Sequence, residues 1–192
     1  MVKIKVCGMT NWEDCRAAVG LGVDFIGFVF YRKSARCVAP GAARAMIERL
    51  DGTVKTVGVF VEIPEDDIDR VMDFCGLDYA QVYTGRTGPR RIAVYAVDNC
   101  VPEVADDGFI LFDSHSPGFG GSGTSFDMGL LADHQALGRA FIAGGINEEN
   151  VGQILALNPF GVDFVSSIEK YKGKKDLSKM ERLVNKIRGY EI

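Results

Sequence analysis

The sequence predicts an α/β protein with a mostly parallel sheet, and two observations carry that prediction. Short runs rich in β-branched and aromatic residues recur along the whole chain, and most stretches between them carry apolar residues at helical spacing. No linker, low-complexity segment or shift in composition divides the chain, so we expect one domain over residues 1–192. Eight such units can close into a β/α barrel or remain an open, doubly wound sheet.

Eight predicted strands have the length and composition that buried strands of parallel sheets usually show. They cover residues 2–6, 25–30, 55–60, 79–82, 91–97, 109–113, 139–143 and 162–165. Because ligands of parallel β/α folds bind at the carboxyl ends of the strands, the residues that follow each run are the candidates for function.

Five intervals predict helices, each from a start signal followed by apolar residues at three- and four-residue spacing. Thr10 and Glu13 have the spacing of a capping box at the first helix. The other four start signals are Pro40, Pro64, Asn147 and Asp176. We expect the last two of these helices to cover residues 147–157 and 177–188.

Three intervals carry weak helical signals. Residues 84–90, between the fourth and fifth strands, are too few for a helix, and residues 98–107 hold at most a turn or two. The interval after the sixth strand begins with a Gly/Ser-rich loop over 114–125 and then predicts a short helix from about Phe126. A barrel built from this chain would therefore be small, with trimmed helices, since barrels usually need about 250 residues and at least about 200.

Composition excludes several classes of protein. Apolar residues make up 47% and charged residues 25% of the 192, the balance of a soluble globular protein, and the net charge of −4 argues against nucleic acid as the main partner. We expect no contact with a membrane, because no run approaches the roughly 18 apolar residues of a membrane helix. The N-terminus lacks a signal-peptide pattern, and the five cysteines form no CxxC pair, so we expect free thiols and a cytoplasmic protein.

Reactive side chains follow several of the predicted strands. Cys7 follows the first strand, a cationic loop that includes Arg36 follows the second, Asp113 ends the sixth, and Asp127 closes the Gly/Ser-rich loop. These positions at the carboxyl edge favour a functional site. The alternatives stay open at this point: a lone cysteine can be a small buried apolar residue, Asp127 can favour a helix dipole, and the cationic loop can be solvated.

Two turns of small residues predict a phosphate site. Gly144 and Gly145 follow the seventh strand, and Ser166 and Ser167 follow the eighth. In a closed barrel these turns are neighbours, and many barrels bind phosphate there through backbone amides and a short helix N-terminus. A bare turn would explain either pair alone. We expect no metal, because neither histidine has ligand-like spacing with a cysteine or carboxylate.

The order and spacing of six segments resemble those of phosphoribosylanthranilate isomerases. The segments are KVCGMT, DFIGFVFYRKSARCVAP, VGVFVE, GGSGTSFD, AGGINEENV and GVDFVSSIEKYKGKKD. The resemblance runs from about residue 2 to residue 186. It implies a single (β/α)8 TIM barrel of minimal size, with helix 4 nearly absent and helix 5 short.

The resemblance also implies an activity. Members of the family carry out a cofactor-free Amadori rearrangement in tryptophan biosynthesis, converting N-(5-phosphoribosyl)anthranilate to 1-(2-carboxyphenylamino)-1-deoxyribulose 5-phosphate. The family's general base falls on Cys7 and its general acid on Asp127, and its contact to the anthranilate carboxylate falls on Arg36. Its phosphate turns fall on Gly144-Gly145 and Ser166-Ser167. The expected partner is a small phosphorylated substrate, and the expected state is a monomer or homodimer.

Three positions depart from the family pattern. Tyr83 stands where the family usually has histidine, Met128 where it has tryptophan, and Ser167 where it has glycine. A glycine that needs positive φ could not be replaced without strain, so Ser167 bears on the geometry of the phosphate loop. Two rivals remain: the related isomerase of histidine biosynthesis, which would want an acid at Cys7 and two phosphate sites, and a barrel that binds a phosphosugar without turnover.

Strand periodicity predicts a group that supports Cys7. Side chains alternate along a strand, so Lys5 and Cys7 share a face, and Lys5 points into the barrel unless the strand bends and releases it to solvent. A buried lysine needs a partner. Barrel closure places the eighth strand beside the first, so Asp163 is the expected partner and Asp113 a more distant one. An inward Lys5 would favour the Cys7 thiolate through charge proximity.

Overall fold

Eight parallel strands form a closed barrel in chain order in the computed structural model, which describes residues 1–83, 86–114 and 126–190. The strands are β1 (Lys3–Val6), β2 (Phe25–Val29), β3 (Lys55–Phe60), β4 (Tyr79–Val82), β5 (Arg91–Val97), β6 (Phe109–Ser114), β7 (Ala140–Ile142) and β8 (Gly161–Phe164). Each predicted strand is present, with its ends shifted by at most one residue. The barrel closes where β1 pairs with β8, and this register sets Lys5 opposite Asp163.

Five α-helices cover the barrel in the described part of the chain. They are α1 (Trp12–Gly20), α2 (Pro40–Leu50), α3 (Glu65–Cys75), α4 (Val151–Ala156) and α5 (Leu177–Arg188). The predicted ends of α3 and α5 are confirmed. Gly76 ends α3 with a φ of 72°, and the Asp176 carboxylate caps α5 by accepting a hydrogen bond from the Lys179 amide at 3.1 Å.

The predicted starts of α1 and α4 are wrong by a few residues. Asn11 caps α1, since its Oδ1 accepts from the Asp14 amide at 3.0 Å, whereas the Thr10 hydroxyl donates to the Gly173 carbonyl. Asn147 heads a turn that precedes α4, and its Oδ1 accepts from the Asn150 amide at 3.1 Å. Thr10 has a partner that is distant in sequence, whereas Asn147 binds amides of its own turn, a local alternative to capping a helix.

The intervals around β5 hold less helix than predicted. Residues 98–108 contain no helix, so the expected short helix 5 is absent. The Arg139 guanidinium instead holds this segment by donating to the carbonyls of Ala105, Asp107 and Gly108. The helix expected from about Phe126 is a single 3₁₀ turn over Met128–Leu131. Residues 98–108 contain few apolar side chains, so a helix there would bury little surface.

Aromatic and aliphatic side chains fill the barrel interior below the carboxyl edge. Phe25, Val57, Ile92, Leu111 and Phe141 form one buried cluster inside the barrel, and Phe25 meets Phe141 edge-on with ring centroids 5.2 Å apart. This cluster fills the barrel below the carboxyl ends of the strands, where ligands of such barrels bind.

A short hairpin that the sequence analysis did not predict follows β8. It consists of β9 (Glu169–Tyr171) and β10 (Lys174–Lys175), an antiparallel pair turned through Gly173 at a φ of 89°. The hairpin leads into α5 and buries Glu169 and Lys175 against the barrel edge. Separately, no described helix is long and apolar enough to cross a membrane.

Candidate active site

A cavity of about 440 Å³ opens at the carboxyl edge of the barrel. Its walls come from the ends of strands around the whole barrel and from the loops that follow them. Among the predicted site residues, the lining includes Cys7, Arg36, Asp113, Gly144, Gly145, Asp163 and Ser166. Seven of the ten predicted site residues therefore meet around one cavity, which is large enough for a small phosphorylated ligand.

Cys7 lies at the end of β1, with 5% of its surface exposed. Gly27 on β2 makes room for the thiol, because a Cβ added at Gly27 would lie 2.5 Å from Cys7 Sγ. Gly8, which follows Cys7, has a φ of 77°, and a Cβ there would lie 2.8 Å from the Arg36 side chain. Because Gly27 has no side chain, the thiol packs against the backbone of β2. Because Gly8 has none, Arg36 packs against the loop after β1.

Lys5 forms the ion pair expected from strand register. Its fully buried Nζ lies 2.6 Å from Asp163 Oδ2. The second carboxylate oxygen, Asp163 Oδ1, is buried without a hydrogen-bond partner in the described structure, and the residue lines the cavity. Burial acts to lower the pKa of Lys5, yet Asp163 and Cys7 raise it above its usual value. The charged form of Lys5 is therefore favoured.

Two opposing effects set the acidity of the Cys7 thiol. Burial is the larger effect and raises the pKa of Cys7 above its ordinary value, with a further rise from the Asp163 carboxylate. The charges of Lys5 and Lys175 lower it. The thiolate that a general base requires therefore depends on these two lysines, and Lys175 is a residue that the sequence analysis missed.

Asp113 presents a second carboxyl group to the cavity from the end of β6. Burial and the nearby Asp163 charge raise its pKa to about 6, while the Ser114 amide and Lys5 act in the opposite direction. A carboxyl group with this pKa holds its proton over part of the neutral range, as a proton donor must.

Arg36 does not present a free guanidinium fork to the cavity. Its Nε and Nη2 donate to the two carboxylate oxygens of Glu169 at 2.8 and 2.7 Å. One edge of the guanidinium, which could otherwise bind a ligand carboxylate in bidentate fashion, is thus occupied by Glu169. The Arg36 side chain still lines the cavity, so its remaining N–H groups are the ones available to a ligand.

The two small-residue turns have the conformations of an anion site. Gly144 and Gly145 have φ of 88° and 62°, and Ser166 begins a 3₁₀ turn over Ser166–Ile168. Ser167 lacks positive φ, so its position does not require glycine and the strain considered for it is absent. Its Oγ is buried and has no partner in the described structure, and Ser167 faces away from the main cavity into an adjoining cleft.

Asp127 lies outside the cavity lining, as do Lys5 and Ser167. It is exposed and caps the 3₁₀ turn, where its Oδ1 accepts from the Gly129 amide at 2.9 Å. Residues 115–125, which include His115 and most of the Gly/Ser-rich loop, lie outside the described residues. The second histidine, His134, packs edge-on against Phe112 and accepts a hydrogen bond from the Ala136 amide.

Four further residues at or beside the cavity have no predicted role. Gln81 and Tyr83 line the cavity from β4 and the loop after it, and Lys175 and Glu169 approach Cys7 and Arg36 from the hairpin. Strand alternation from Tyr79 would have placed Gln81 and Tyr83 inward, whereas no local pattern marks the hairpin. Among the described residues, no group of three or more His, Cys, Asp or Glu side chains could hold a metal ion.

Comparisons of sequence identify a family. A family model described as N-(5′-phosphoribosyl)anthranilate (PRA) isomerase matches residues 4–186. The N-(5′-phosphoribosyl)anthranilate isomerase of Acidithiobacillus ferrooxidans is 38% identical over an alignment of 205 positions that covers 98% of this chain and 98% of the relative.

Comparisons of structure agree with this. The crystal structure of phosphoribosyl anthranilate isomerase from Thermus thermophilus superposes with a TM-score of 0.86 at 30% identity, covering 97% of this chain and 98% of that one. A crystal structure of phosphoribosyl anthranilate isomerase in complex with reduced 1-(o-carboxyphenylamino)-1-deoxyribulose 5-phosphate gives 0.80 at 29% identity, covering 99% of this chain and 100% of that one. The predicted TIM barrel is thereby confirmed.

Proposed function

The chain belongs to the family of N-(5′-phosphoribosyl)anthranilate isomerases, and we propose that it catalyses the Amadori rearrangement of N-(5-phosphoribosyl)anthranilate in tryptophan biosynthesis. The observation that carries the proposal is Cys7 at the end of β1, in a cavity that also contains Gly144, Gly145 and Ser166. A single barrel domain would hold the whole site. All five thiols are free, which suits a reducing cytoplasm.

The first step opens the ribose ring. Asp127 donates its proton to the ring oxygen, the bond between C1′ and that oxygen breaks, and the nitrogen lone pair forms a C1′=N Schiff base. The role of Asp127 rests on the family resemblance. Asp113 also lines the described cavity with a raised pKa and, unlike Asp163, it is not paired with Lys5, so it is the alternative donor to Asp127.

The second step moves the proton from C2′. The Cys7 thiolate removes it, and the electron pair of the C–H bond forms the C1′=C2′ double bond while the Schiff-base nitrogen becomes neutral. The C2′ hydroxyl then loses its proton and C1′ gains one, which gives the ketone. Protons taken up and released balance over the cycle, so the reaction needs no cofactor.

Two groups hold the substrate in place. The amides around Gly144-Gly145 and Ser166-Ser167 bind the phosphate, because positive-φ glycines turn successive N–H groups toward one point. Arg36 contacts the anthranilate carboxylate through the N–H groups that Glu169 leaves available. Binding at both ends would place C2′ beside the thiol.

The two rival functions fit the site less well. The isomerase of histidine biosynthesis would want a carboxylic acid at the end of β1, where this chain has Cys7. A barrel that binds without turnover would not need a buried lysine pair that lowers the pKa of that thiol. The presence of this costly charge arrangement therefore favours catalysis.

A turnover assay tests the proposal. Purified protein is mixed with N-(5-phosphoribosyl)anthranilate, and the loss of substrate fluorescence is followed over time. The Cys7→Ala variant, purified in parallel, controls for a contaminating isomerase. We expect turnover by the wild-type protein and a loss of about 10² to 10⁴-fold in the variant. Equal rates in both preparations, or turnover of only the histidine-pathway substrate, would overturn the proposal.

A further inference from the structure

Lys175 is a fully buried lysine, and one of its contacts is the backbone of Cys7. Its Nζ donates to the carbonyl oxygen of Cys7 at 2.6 Å and lies 3.5 Å from the Val165 carbonyl and 3.4 Å from Glu169 Oε1. An ammonium group has three protons, and these three acceptors account for all of them. A buried charge with every proton directed at a named acceptor is held in one orientation.

Glu169 connects Lys175 to the arginine of the cavity. Its carboxylate accepts two hydrogen bonds from Arg36 and one from the Gly173 amide at 3.1 Å. Lys175 thus shares one carboxylate with Arg36 while binding the backbone of Cys7. The hairpin therefore connects the loop after β1 with the loop after β2. Neither loop sequence reveals this connection.

The hairpin itself is anchored on the side away from the cavity. The Lys175 amide donates to Asp14 Oδ2 at 2.9 Å, and the neighbouring Lys174 ammonium donates to Asp14 Oδ1 at 2.7 Å. Asp14 is fully buried on α1. The backbone of Lys175 is therefore fastened to the barrel wall independently of what its ammonium group holds.

The two buried charge groups near Cys7 differ in net charge. Lys5 and Asp163 form a neutral pair. Arg36 and Lys175 share the single carboxylate of Glu169, so this second group has one positive charge in excess when Lys175 is protonated. Burial lowers the pKa of Lys175, while Glu169 and the Cys7 thiolate act to raise it. A net charge in a poorly solvated place acts on a neighbouring thiolate more strongly than a neutral pair at similar distance.

We propose that Lys175 is a positioning residue for the isomerase site, which holds the Cys7 backbone and Glu169 in one arrangement and supplies the excess positive charge next to the thiol. This inference rests on the proposed function for its kinetic part only. Its chemical part concerns Cys7 alone and can be measured without substrate.

The substrate-free test is alkylation of Cys7 by iodoacetamide as a function of pH. The modified peptide is quantified by mass spectrometry, so that the other four thiols do not contribute. In Lys175→Met we expect the pKa of Cys7 to rise by about one unit, because a positive neighbour is lost. The alkylation rate at pH 8 should then fall about threefold, since a tenfold smaller thiolate fraction is partly offset by a more nucleophilic thiolate.

Lys174→Met is the matched control, because Lys174 lies in the same hairpin and binds Asp14 but not Cys7. It should lower stability without changing the alkylation profile. Lys175→Gln serves as a second variant should the methionine variant unfold, since glutamine keeps an amide donor for the Cys7 carbonyl and lacks the charge. The proposal is wrong if a folded Lys175 variant alkylates like the wild type, or if Lys174→Met shifts the profile equally.

Steady-state kinetics complete the test. We expect Lys175→Met to lower kcat about tenfold or more with a KM within about threefold, because Glu169 keeps its two hydrogen bonds to Arg36 and the phosphate turns stay intact. A loss confined to KM would assign Lys175 to substrate binding and overturn the positioning role. A shifted alkylation profile in a protein that does not turn over the substrate would refute the proposed function and leave the link between Lys175 and Cys7 intact.

Discussion

Lys5 Nζ and Asp163 Oδ2 lie 2.6 Å apart, across the seam where β1 and β8 close the barrel and one pleat below Cys7. The two residues are 158 positions apart in sequence, yet register makes them direct partners. Closing the barrel therefore completes the electrostatic surroundings of the thiol. A chain with an unpaired β1–β8 seam would leave Lys5 buried and uncompensated.

The first prediction concerns Lys5→Met. Removing the Lys5 charge should raise the pKa of Cys7 and shift the limb of the activity profile that reports ionisation of Cys7 to higher pH, because Lys5 lowers this pKa in the folded protein. The variant leaves Asp163 buried without a partner, so the double variant Lys5→Met/Asp163→Asn is the control for lost stability. If the alkylation midpoint of Cys7 is unchanged in both variants, the pKa of the thiol does not depend on Lys5.

The second prediction separates the two candidate acids. Cys7→Ala and Asp127→Asn should each lower turnover by about 10² to 10⁴-fold with little change in the unfolding midpoint. Asp113→Asn should cost much less, if Asp127 is the donor. A large loss in Asp113→Asn together with near wild-type turnover in Asp127→Asn would exchange their roles.

Much of the fold follows from sequence because strands and helices are local. Runs of β-branched and aromatic residues marked all eight strands, and Asp176 marked the start of α5 to the residue. The ion pair of Lys5 and Asp163 followed from one additional assumption, that the barrel closes. Local pattern and global topology agree at these positions.

The hairpin could not be predicted by the same means. Glu169 follows β8, but the burial of Glu169 and Lys175 depends on Arg36 and the Cys7 carbonyl, which are distant in sequence. The same limit explains the error at Thr10, whose hydroxyl binds the Gly173 carbonyl instead of capping α1. A polar side chain with a long-range partner does not follow local propensity.

The third prediction concerns Arg36→Lys. Lysine cannot reproduce the fork that joins Arg36 to both oxygens of Glu169, so the cation should lose its placement at the cavity wall. We expect KM to rise about tenfold or more and kcat to change less. Arg32→Lys, an exposed cation in the same loop, is the matched control. Unchanged affinity of Arg36→Lys for a carboxylated product analogue would contradict the assignment.

The fourth prediction concerns Gly144→Ala. The new Cβ would lie 2.7 Å from Ser114 Oγ and 2.8 Å from the Ser114 amide, at a φ of 88°. The strain, about 1–3 kcal/mol, should displace the turn and weaken binding of phosphorylated ligands. Gly152→Ala on α4 is the control, because nothing lies within 4 Å of its Cβ. Titration with reduced 1-(o-carboxyphenylamino)-1-deoxyribulose 5-phosphate measures the affinity of each variant for this ligand. Equal affinities would exclude this turn from the phosphate site.

The last prediction follows from the raised pKa of Asp113. Its pKa is about 6 in the folded protein and 3.8 as the reference value, so the folded state binds the proton more tightly than the unfolded state. Its contribution to stability is therefore fully present below pH 3.8 and is lost as the pH rises through about 6. Asparagine cannot ionise, so Asp113→Asn avoids the free-energy cost of a buried carboxylate at high pH. The variant's free energy of unfolding, relative to wild type, should increase between pH 4 and pH 7, by at most about 3 kcal/mol since the carboxyl is only partly buried. Urea unfolding at the two pH values measures the difference, and a relative stability that falls or stays constant would show that Asp113 ionises normally.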